Sequence, residues 1–136
     1  MSNRWDVREF EESDWDMLNS WSKAVGMMTP PMNILPDWGV IVRNKGVDCC
    51  LGFMYLANSC PVAVIEWVYF NPEISPRQKV ESVKHVVSAL EQCAKGTGHN
   101  VLFASSGFKG LTNIYERQGF TCANSGMSHL IKIAEE

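Results

Sequence analysis

One carboxylate interrupts a long apolar run of the sequence. Every residue of the range 62–70 except Glu66 is apolar. An unpaired carboxylate is costly to bury, so we expect Glu66 to be paired, solvated or used in chemistry. On a regular strand Val64, Val68 and Phe70 share its face, and all three are apolar. This pattern favours a functional role over a merely solvent-facing one.

A tyrosine near the end of the chain is the second candidate. A phenol can act as a general acid and donate its proton to a leaving group. Tyr115 lies close to Leu111 and Ile114 at helical spacing. The same spacing is typical of a tyrosine in the core. Both interpretations of Tyr115 remain open.

The elements that position the first half of the chain follow from periodicity. Residues 4–10 alternate as in a strand, and Ser13 is the expected N-cap of a helix over about 13–25. Three prolines make 26–36 a loop that is not helical. Strands are predicted over 38–42 and 51–56, on either side of a turn that ends at Gly46.

The second half begins with a long apolar strand over 62–70. Ser75 and Pro76 are a favourable N-cap and first residue for a long helix, which Gly96 and Gly98 end. A short buried strand over 101–103, a short helix stopped by Gly119, and a last strand over 127–133 complete the order. The strand–helix–strand unit at 62–103 should be parallel. Mixed strand runs with three helices predict a mixed sheet covered by helices.

The composition predicts one domain over residues 1–136. The chain is 46% apolar and 20% charged, which excludes a disordered chain, a coiled coil and a collagen-like fibre. A net charge of −3 without a basic run argues against nucleic acid and membrane surfaces as partners. We find no secretory signal and no run that could span a bilayer, so a cytoplasmic location is expected.

Cysteine and histidine usage predicts neither disulfides nor a metal site. The number of cysteines is odd and no CxxC pair occurs, so all are expected to be buried thiols in a reducing compartment. The three histidines fit no ligand spacing. The cysteines are Cys49, Cys50, Cys60, Cys93 and Cys122.

The element order and two local patterns resemble the GNAT N-acetyltransferase superfamily, acyl-CoA-dependent enzymes of this length. The stretch from Tyr115 to Phe120 is similar to the family's tyrosine-x-x-x-Gly-Phe signature, whose tyrosine often protonates the departing CoA thiolate. The resemblance covers nearly the whole chain in element order and extends, more faintly, to small members encoded by bacteriophages, for which the location would be the host cytoplasm. It implies an α/β chain, of the α+β mixed-sheet type, with a GNAT-like fold: a central, mixed, mostly antiparallel sheet flanked by helices.

The second pattern lies at the start of the long helix. The family's pyrophosphate loop reads arginine/glutamine-x-x-Gly-x-Gly/Ala, and Val80 and Ser82 replace its glycines here. Glycine lets backbone N–H groups approach phosphate, but the helix start still offers unpaired N–H groups and a positive dipole. Arg77 and Lys79 add positive charge, although a solvated surface pair is equally compatible. The implied cofactor-binding residues are Arg77, Gln78, Lys79, Val80, Glu81 and Ser82.

The resemblance also implies roles on the long strand. A glutamate at the position of Glu66 can deprotonate the amine, and the backbone of Val68, Tyr69 and Phe70 would pair with pantetheine. Trp38 follows the proline-rich loop, where family members form a wall of the acceptor site. The acidic residues within 9–16 are a solvated face or, at the rim of the cleft, favour a cationic amine.

The function implied is transfer of an acetyl group from acetyl-CoA to a primary amine by direct attack, with acetyl-CoA as co-substrate and no metal. The acceptor is an amine-bearing small molecule or a protein, and the protein is a monomer or homodimer. The alternative is a catalytically degenerate GNAT-like protein that binds another protein, which the missing loop glycines support.

Overall fold

The computed structural model describes residues 4–134, which divide into two compact units. The first unit ends at Ser105 and the second begins at Ser106. Single turns of 3-10 helix occur at Glu12–Asp14 and Met32–Ile34. The first unit contains β1 (Trp5–Glu9), α1 (Trp15–Ala24), β2 (Trp38–Asn44), β3 (Val47–Leu56), β4 (Val62–Phe70), α2 (Pro76–Gly96) and β5 (Val101–Ala104), and the second contains α3 (Lys109–Arg117).

The strands of the first unit form one sheet in the order β1-β2-β3-β4-β5. The first four strands are antiparallel neighbours, and β5 pairs with β4 in parallel. The mixed, mostly antiparallel sheet is therefore confirmed, as is the parallel strand–helix–strand unit. The long connection through α2 is what parallel strands require.

The two faces of the sheet are covered by different helices. Leu18 and Trp21 of α1 form a buried cluster with Leu51, Phe53 and other residues of one face, which we call the α1 face. On the opposite side α2 approaches Gly52 so closely that a Cβ there would lie 2.8 Å from Val86. We call this side the α2 face. Residues opposite each other in a ladder share a face, so the register assigns each strand residue to one of the two.

The long helix α2 begins as predicted. Ser75 accepts a hydrogen bond from the Gln78 N–H, and the Gln78 side chain accepts one from the Ser75 N–H, which makes a capping box with Pro76 at the first position. Gly98 has a φ of 81° after the last turn. The Ser75–Pro76 pair was sufficient to predict the start of α2, because a helix cap depends only on residues that are neighbours in sequence.

The start of α1 differs from the expectation. Ser13 lies inside the 3-10 turn, and α1 begins at Trp15. The cause is Asp14, whose carboxylate accepts hydrogen bonds from the Glu11 N–H and from Arg8, each at 2.9 Å. Asp14 therefore occupies the N-cap position of α1, but its side chain bonds to no N–H of that helix and closes the preceding 3-10 turn instead.

The hairpin between β2 and β3 closes on two residues. Lys45 and Gly46 have φ values of 52° and 83°, as a two-residue turn with left-handed residues requires. The prediction for Gly46 is confirmed. Because the ladder reaches this turn, β2 and β3 are longer than the predicted strands. The loop before β2 also contains a 3-10 turn, Met32–Ile34, between its prolines.

Two strand predictions near the end of the chain need correction. Residues 127–133 form no strand, and Met127 and Leu130 are 77% and 91% exposed. Alternating sequence makes a strand only where a partner ladder exists, and in the described part of the chain the sheet ends at β5. The short strand β5 was expected to be buried, yet Val101 and Phe103 are exposed. β5 is an edge strand, and it is stabilised by its backbone pairing with β4 and not by burial of its side chains.

All five cysteines are free thiols, and only some of the five are buried. Cys49 and Cys50 are buried as expected, and burial raises the pKa of the Cys50 thiol well above its usual range. Cys60 and Cys122 are exposed, contrary to the prediction. Cys60 lies in the turn between β3 and β4, where no sheet face is available to cover it.

Candidate active site

A β-bulge in β4 shapes the region around Glu66. The pairs Leu51↔Tyr69 and Phe53↔Glu66 leave Gly52 alone on β3 opposite two residues on β4, Trp67 and Val68. Trp67 has a φ of 58°, a left-handed conformation that costs a bulky residue about 1–2 kcal/mol. An extra residue bends the strand and increases its local twist.

The bulge changes which residues share a face with Glu66. Phe53 and Leu51 both lie on the α1 face, so their partners Glu66 and Tyr69 lie there too. Phe70 pairs with Cys50 and therefore lies on the α2 face with Val68. The expectation that Val68 and Phe70 share the face of Glu66 is wrong, because it assumed an unbroken alternation.

Glu66 is half-buried and hydrogen-bonded. The Ser105 hydroxyl donates to Glu66 Oε2 at 2.8 Å. The β4–β5 ladder ends at the pair Ile65↔Ala104, so Glu66 and Ser105 are the next residues of their strands. β4 continues to Phe70 past this point. We call this place, where Glu66 meets Ser105, the end of the β4–β5 ladder.

The loop between α1 and β2, residues 25–36, is held by aromatic side chains of the first unit. The Tyr69 hydroxyl donates to the Met28 carbonyl oxygen, and the Trp15 indole donates to that of Pro30, both at 2.9 Å. The Tyr55 hydroxyl donates to the Ile34 carbonyl oxygen at 2.9 Å. Three strand and helix residues thus satisfy carbonyl groups that a proline-rich loop leaves without partners of its own.

Tyr55 also links this loop to the bulge. The Trp67 indole N–H donates to the Tyr55 hydroxyl oxygen at 2.9 Å, while Tyr55 donates to Ile34. The strained residue beside Glu66 is therefore connected to the loop through one phenol. Sequence analysis missed Ser105, Tyr55 and Trp67 in these roles. For Tyr55 and Trp67 the sequence did hold a signal: both are aromatic residues with a polar group, on strands close in sequence to an uncharged loop.

The negative charge of Glu66 influences the pKa of Tyr69. Burial, with a smaller contribution from the negative charge of Glu66, raises the pKa of Tyr69 to about 12. Glu66 therefore acts on the same phenol that holds the Met28 carbonyl. Glu66, Tyr69 and the loop form one neighbourhood on the α1 face.

The start of α2 has fewer available N–H donors than expected. The Gln78 N–H is bonded to Ser75 Oγ, and the Lys79 N–H to the Ser75 carbonyl oxygen at 3.0 Å. Pro76 has no N–H, so within residues 4–134 only the Arg77 N–H of this turn lacks a protein acceptor. An anion that binds several of these groups must displace the Ser75 cap.

The other predicted loop residues have different surroundings. The Arg77 side chain is exposed, and Lys79 and Val80 are half-buried. Glu81 forms an ion pair with Lys84. Ser82 is fully buried and its hydroxyl donates to the Lys79 carbonyl oxygen at 2.9 Å. The hydroxyl of Ser82 therefore serves α2 itself.

Two other candidates do not join Glu66. Trp38 pairs with Met54, which places it on the α2 face, whereas Glu66 lies on the α1 face. In the early acidic run, Asp14 is held by Arg8. The other carboxylates of residues 9–16 are exposed.

Tyr115 belongs to the second unit, in α3. Its carbonyl oxygen accepts hydrogen bonds from the Gln118 and Phe120 N–H groups, and its ring lies 5.2 Å from the Phe120 ring. Gly119 has a φ of 98° and ends the helix as predicted. The tyrosine-x-x-x-Gly-Phe stretch thus forms a closed helix end in which Phe120 packs on Tyr115.

Within residues 4–134 no group of three or more His, Cys, Asp or Glu side chains is arranged to hold a metal ion. In the same range no helix has the length and apolar character needed to cross a bilayer. No protein-family model matches the sequence, and no curated protein matches it either.

Solved structures do match the fold. The aminoglycoside N-acetyltransferase AAC(6')-Iy, in complex with the bisubstrate analog CoA-S-monomethyl-acetylneamine, is 16% identical, with a TM-score of 0.68 over 95% of this chain and 99% of that one. N-acetylglutamate synthase from Neisseria gonorrhoeae, complexed with coenzyme A and L-arginine, is 12% identical, with a TM-score of 0.68 over 90% of this chain. This chain spans only 28% of that synthase.

A third match carries a different kind of name. It is a transcriptional regulator from Bacillus halodurans, 13% identical, with a TM-score of 0.68 over 93% of this chain and 99% of that one. At these identities the matches establish the architecture. The resemblance noted in the sequence is confirmed at this level: the chain has the GNAT fold of the acetyltransferases.

Proposed function

We propose that the protein is an acyl-CoA-dependent N-acyltransferase that moves an acetyl group from acetyl-CoA to a primary amine, with residues 1–136 acting as one acyl-CoA-binding domain. The observation that carries this proposal is Glu66, a half-buried carboxylate held by Ser105 at the end of the β4–β5 ladder. Two proteins of the same fold were solved with CoA or a CoA analog, which supports acetyl-CoA as the co-substrate.

Glu66 is proposed to take the proton of the amine, directly or through water. A protonated amine is not a nucleophile, so a base must act before or during attack on the thioester. The Ser105 hydrogen bond orients the carboxylate through one of its oxygens, Oε2. Direct attack benefits from holding the amine and the thioester together, so no covalent enzyme intermediate is needed.

The thiolate of CoA needs a proton when it leaves, and Tyr115 is proposed to provide it. Backbone amides would polarise the thioester carbonyl. The backbone of Val68, Tyr69 and Phe70 is the proposed partner of pantetheine. In support, these residues lie on the part of β4 that continues past its last pair with β5.

The pyrophosphate would be held by charge rather than by a glycine cradle. Arg77 and Lys79 lie in the first turn of α2, whose dipole also favours an anion. Gln78 and Ser82 are occupied by hydrogen bonds within α2 and its cap, and Glu81 by Lys84. Val80 carries a Cβ where glycine would admit phosphate, so we expect weaker binding than a glycine loop gives.

The second candidate is a GNAT-like protein that has lost catalysis and binds another protein. Its support is the self-capped start of α2, in which Ser75 already occupies two N–H groups. A protein of this fold that is named as a transcriptional regulator shows that the name of the fold does not settle the function.

Release of CoA from acetyl-CoA in the presence of amines tests the proposal. Products should be separated by chromatography, because the exposed thiols of Cys60 and Cys122 would react with thiol reagents. Wild-type protein should accelerate CoA release and form an acetylated amine of the expected mass. Failure to accelerate release with any amine, together with retained folding, would favour the protein-binding alternative.

A further inference from the structure

The outer edge of β5 presents backbone hydrogen-bonding groups. In the part of the chain that the structure describes, the sheet ends at β5, which pairs only with β4. The Val101 and Ser105 N–H groups donate towards β4, to carbonyl oxygens at 3.0 Å and 3.4 Å. Because the N–H and C=O groups of successive strand residues point in opposite directions, those of Leu102 and Ala104 point away from β4. These groups are the donors and acceptors that a further strand would use.

Two exposed apolar side chains lie on one face of the sheet beside these groups. Phe103 pairs with Val64, which pairs with Tyr55. Tyr55 is two residues from Phe53 on β3, so all of them lie on the α1 face. Val101 lies on the same face, because it is two residues from Phe103. Phe103 is 58% exposed and Val101 is 41% exposed. We call this surface, residues 101–104, the β5 edge.

The β5 edge differs in charge from the opposite edge of the sheet. From residue 96 to residue 108 the sequence contains no Asp, Glu, Lys or Arg, and β5 contains no proline. At the opposite edge β1 carries Asp6, Arg8 and Glu9. Charged side chains on an edge strand oppose pairing with another chain, and β5 lacks this protection. The β5 edge is therefore suited to accept a strand.

A second copy of the same strand fits the β5 edge. The chain has a net charge of −3, so two copies repel each other except where uncharged surfaces meet. In antiparallel pairing about a two-fold axis, each donor of this uncharged edge meets an acceptor of the other copy. An axis at Leu102 sets Val101 of each copy opposite Phe103 of the other. Such pairs of a β-branched and an aromatic residue across two strands are favourable.

We propose that the protein forms a homodimer in which β5 pairs with β5 of a second copy, antiparallel, about a two-fold axis at Leu102. The sheet of one copy then continues into that of the other. Only a short strand takes part, so the interface is small and the dissociation constant lies in the micromolar range. The dimer uses none of the proposed catalytic or acetyl-CoA-binding residues, so it does not depend on the proposed function.

Sedimentation velocity tests whether the dimer exists. Wild-type protein is measured at concentrations from about 1 µM to about 500 µM. The sedimentation coefficient should rise with concentration from that of a monomer to that of a dimer. A monomer at every concentration, or larger assemblies without a dimer, would overturn the proposal.

Two variants locate the interface. Leu102→Pro removes the N–H at the proposed axis, which points away from β4, so the β4–β5 ladder is kept. Phe103→Glu places a carboxylate opposite Val101 of the other copy. Each variant should raise the dissociation constant at least about tenfold, because a symmetric dimer loses each contact twice. Val7→Glu is the matched control, since Val7 is 46% exposed but lies on β1 at the opposite edge.

Circular dichroism establishes that each variant is folded. If Leu102→Pro fails to fold, Phe103→Glu decides the test, because the Phe103 side chain is exposed. Weaker dimerisation of Phe103→Glu, with wild-type dimerisation of Val7→Glu, supports pairing through β5. Unchanged dimerisation of Phe103→Glu, or equal weakening by Val7→Glu, shows that any dimer forms elsewhere and overturns the proposal.

Discussion

Ser105 and Glu66 are 39 residues apart in sequence, yet the Ser105 hydroxyl donates a 2.8 Å hydrogen bond to the Glu66 carboxylate. The contact joins the residue after β5 to the residue at which β4 begins its bulge. It explains how a carboxylate is tolerated in an otherwise apolar strand, since a hydrogen bond to an ionised group offsets part of its desolvation. It also fixes the carboxylate at the end of the β4–β5 ladder.

Replacement of Glu66 by glutamine tests its role as a base. Glu66→Gln keeps the size of the side chain and an oxygen that can accept from Ser105. If Glu66 takes the amine proton, turnover should fall by about 10²- to 10⁴-fold, while the melting temperature changes little. Glu73→Gln is the control, because Glu73 is an exposed carboxylate in the loop before α2. Equal turnover in the wild type and both variants would refute the assignment.

Tyr115→Phe removes one hydroxyl and keeps the ring that packs on Phe120. If the hydroxyl protonates the thiolate, turnover should fall by about 10²- to 10⁴-fold. Acetyl-CoA affinity and the melting temperature should stay near the wild-type values, because the apolar contacts survive. The measurement is CoA release with an accepted amine, or slow release in water if no amine is accepted. A phenylalanine variant that turns over like wild type would end this assignment.

The cations at the start of α2 should control acetyl-CoA affinity. The double variant Arg77→Gln/Lys79→Gln should bind acetyl-CoA more weakly, and added salt should weaken wild-type binding more than variant binding. The double variant Lys84→Gln/Lys95→Gln is the control, since it removes the same charge from surface ion pairs elsewhere on α2. Titration calorimetry at two salt concentrations measures both effects. Equal affinity of the two double variants would mean that Arg77 and Lys79 are surface cations.

Tyr69 makes stability sensitive to alkaline pH. Its pKa is raised to about 12 by burial and by Glu66, so the folded state favours the protonated phenol. This stabilisation is complete below the ordinary tyrosine pKa of about 10 and is lost as the pH rises through the folded value. Between about pH 8 and about pH 11, the free energy of unfolding should therefore fall further for wild type than for Tyr69→Phe. Urea unfolding measures it, and parallel losses would contradict the account.

The sequence was sufficient wherever structure depends on local chemistry. The capping box at Ser75, the turn at Gly46 and the helix end at Gly119 each satisfy or relax a few neighbouring backbone groups. Glu66 was also identified from local contrast, a carboxylate among apolar residues. The positions of the five strands along the chain were also predicted from local patterns of apolar residues.

The failures arise from contacts between distant parts of the chain. The bulge at Trp67 depends on a mismatch between β3 and β4, and a period-of-two pattern cannot reveal it. The displaced start of α1 depends on Arg8 holding Asp14. The alternating residues 127–133 predicted a strand, but a pattern does not specify that a partner is present. Ser105 as the partner of Glu66 was equally invisible.

Binding of acetyl-CoA tests the central claim most directly. Titration calorimetry of the wild-type protein with acetyl-CoA and with CoA should give saturable binding of both, with affinity that falls as salt is added. Saturable binding is what an acyl-CoA-dependent transferase requires before any acceptor is known. No heat of binding with either ligand at millimolar concentration, from protein that is folded by circular dichroism, would contradict the account.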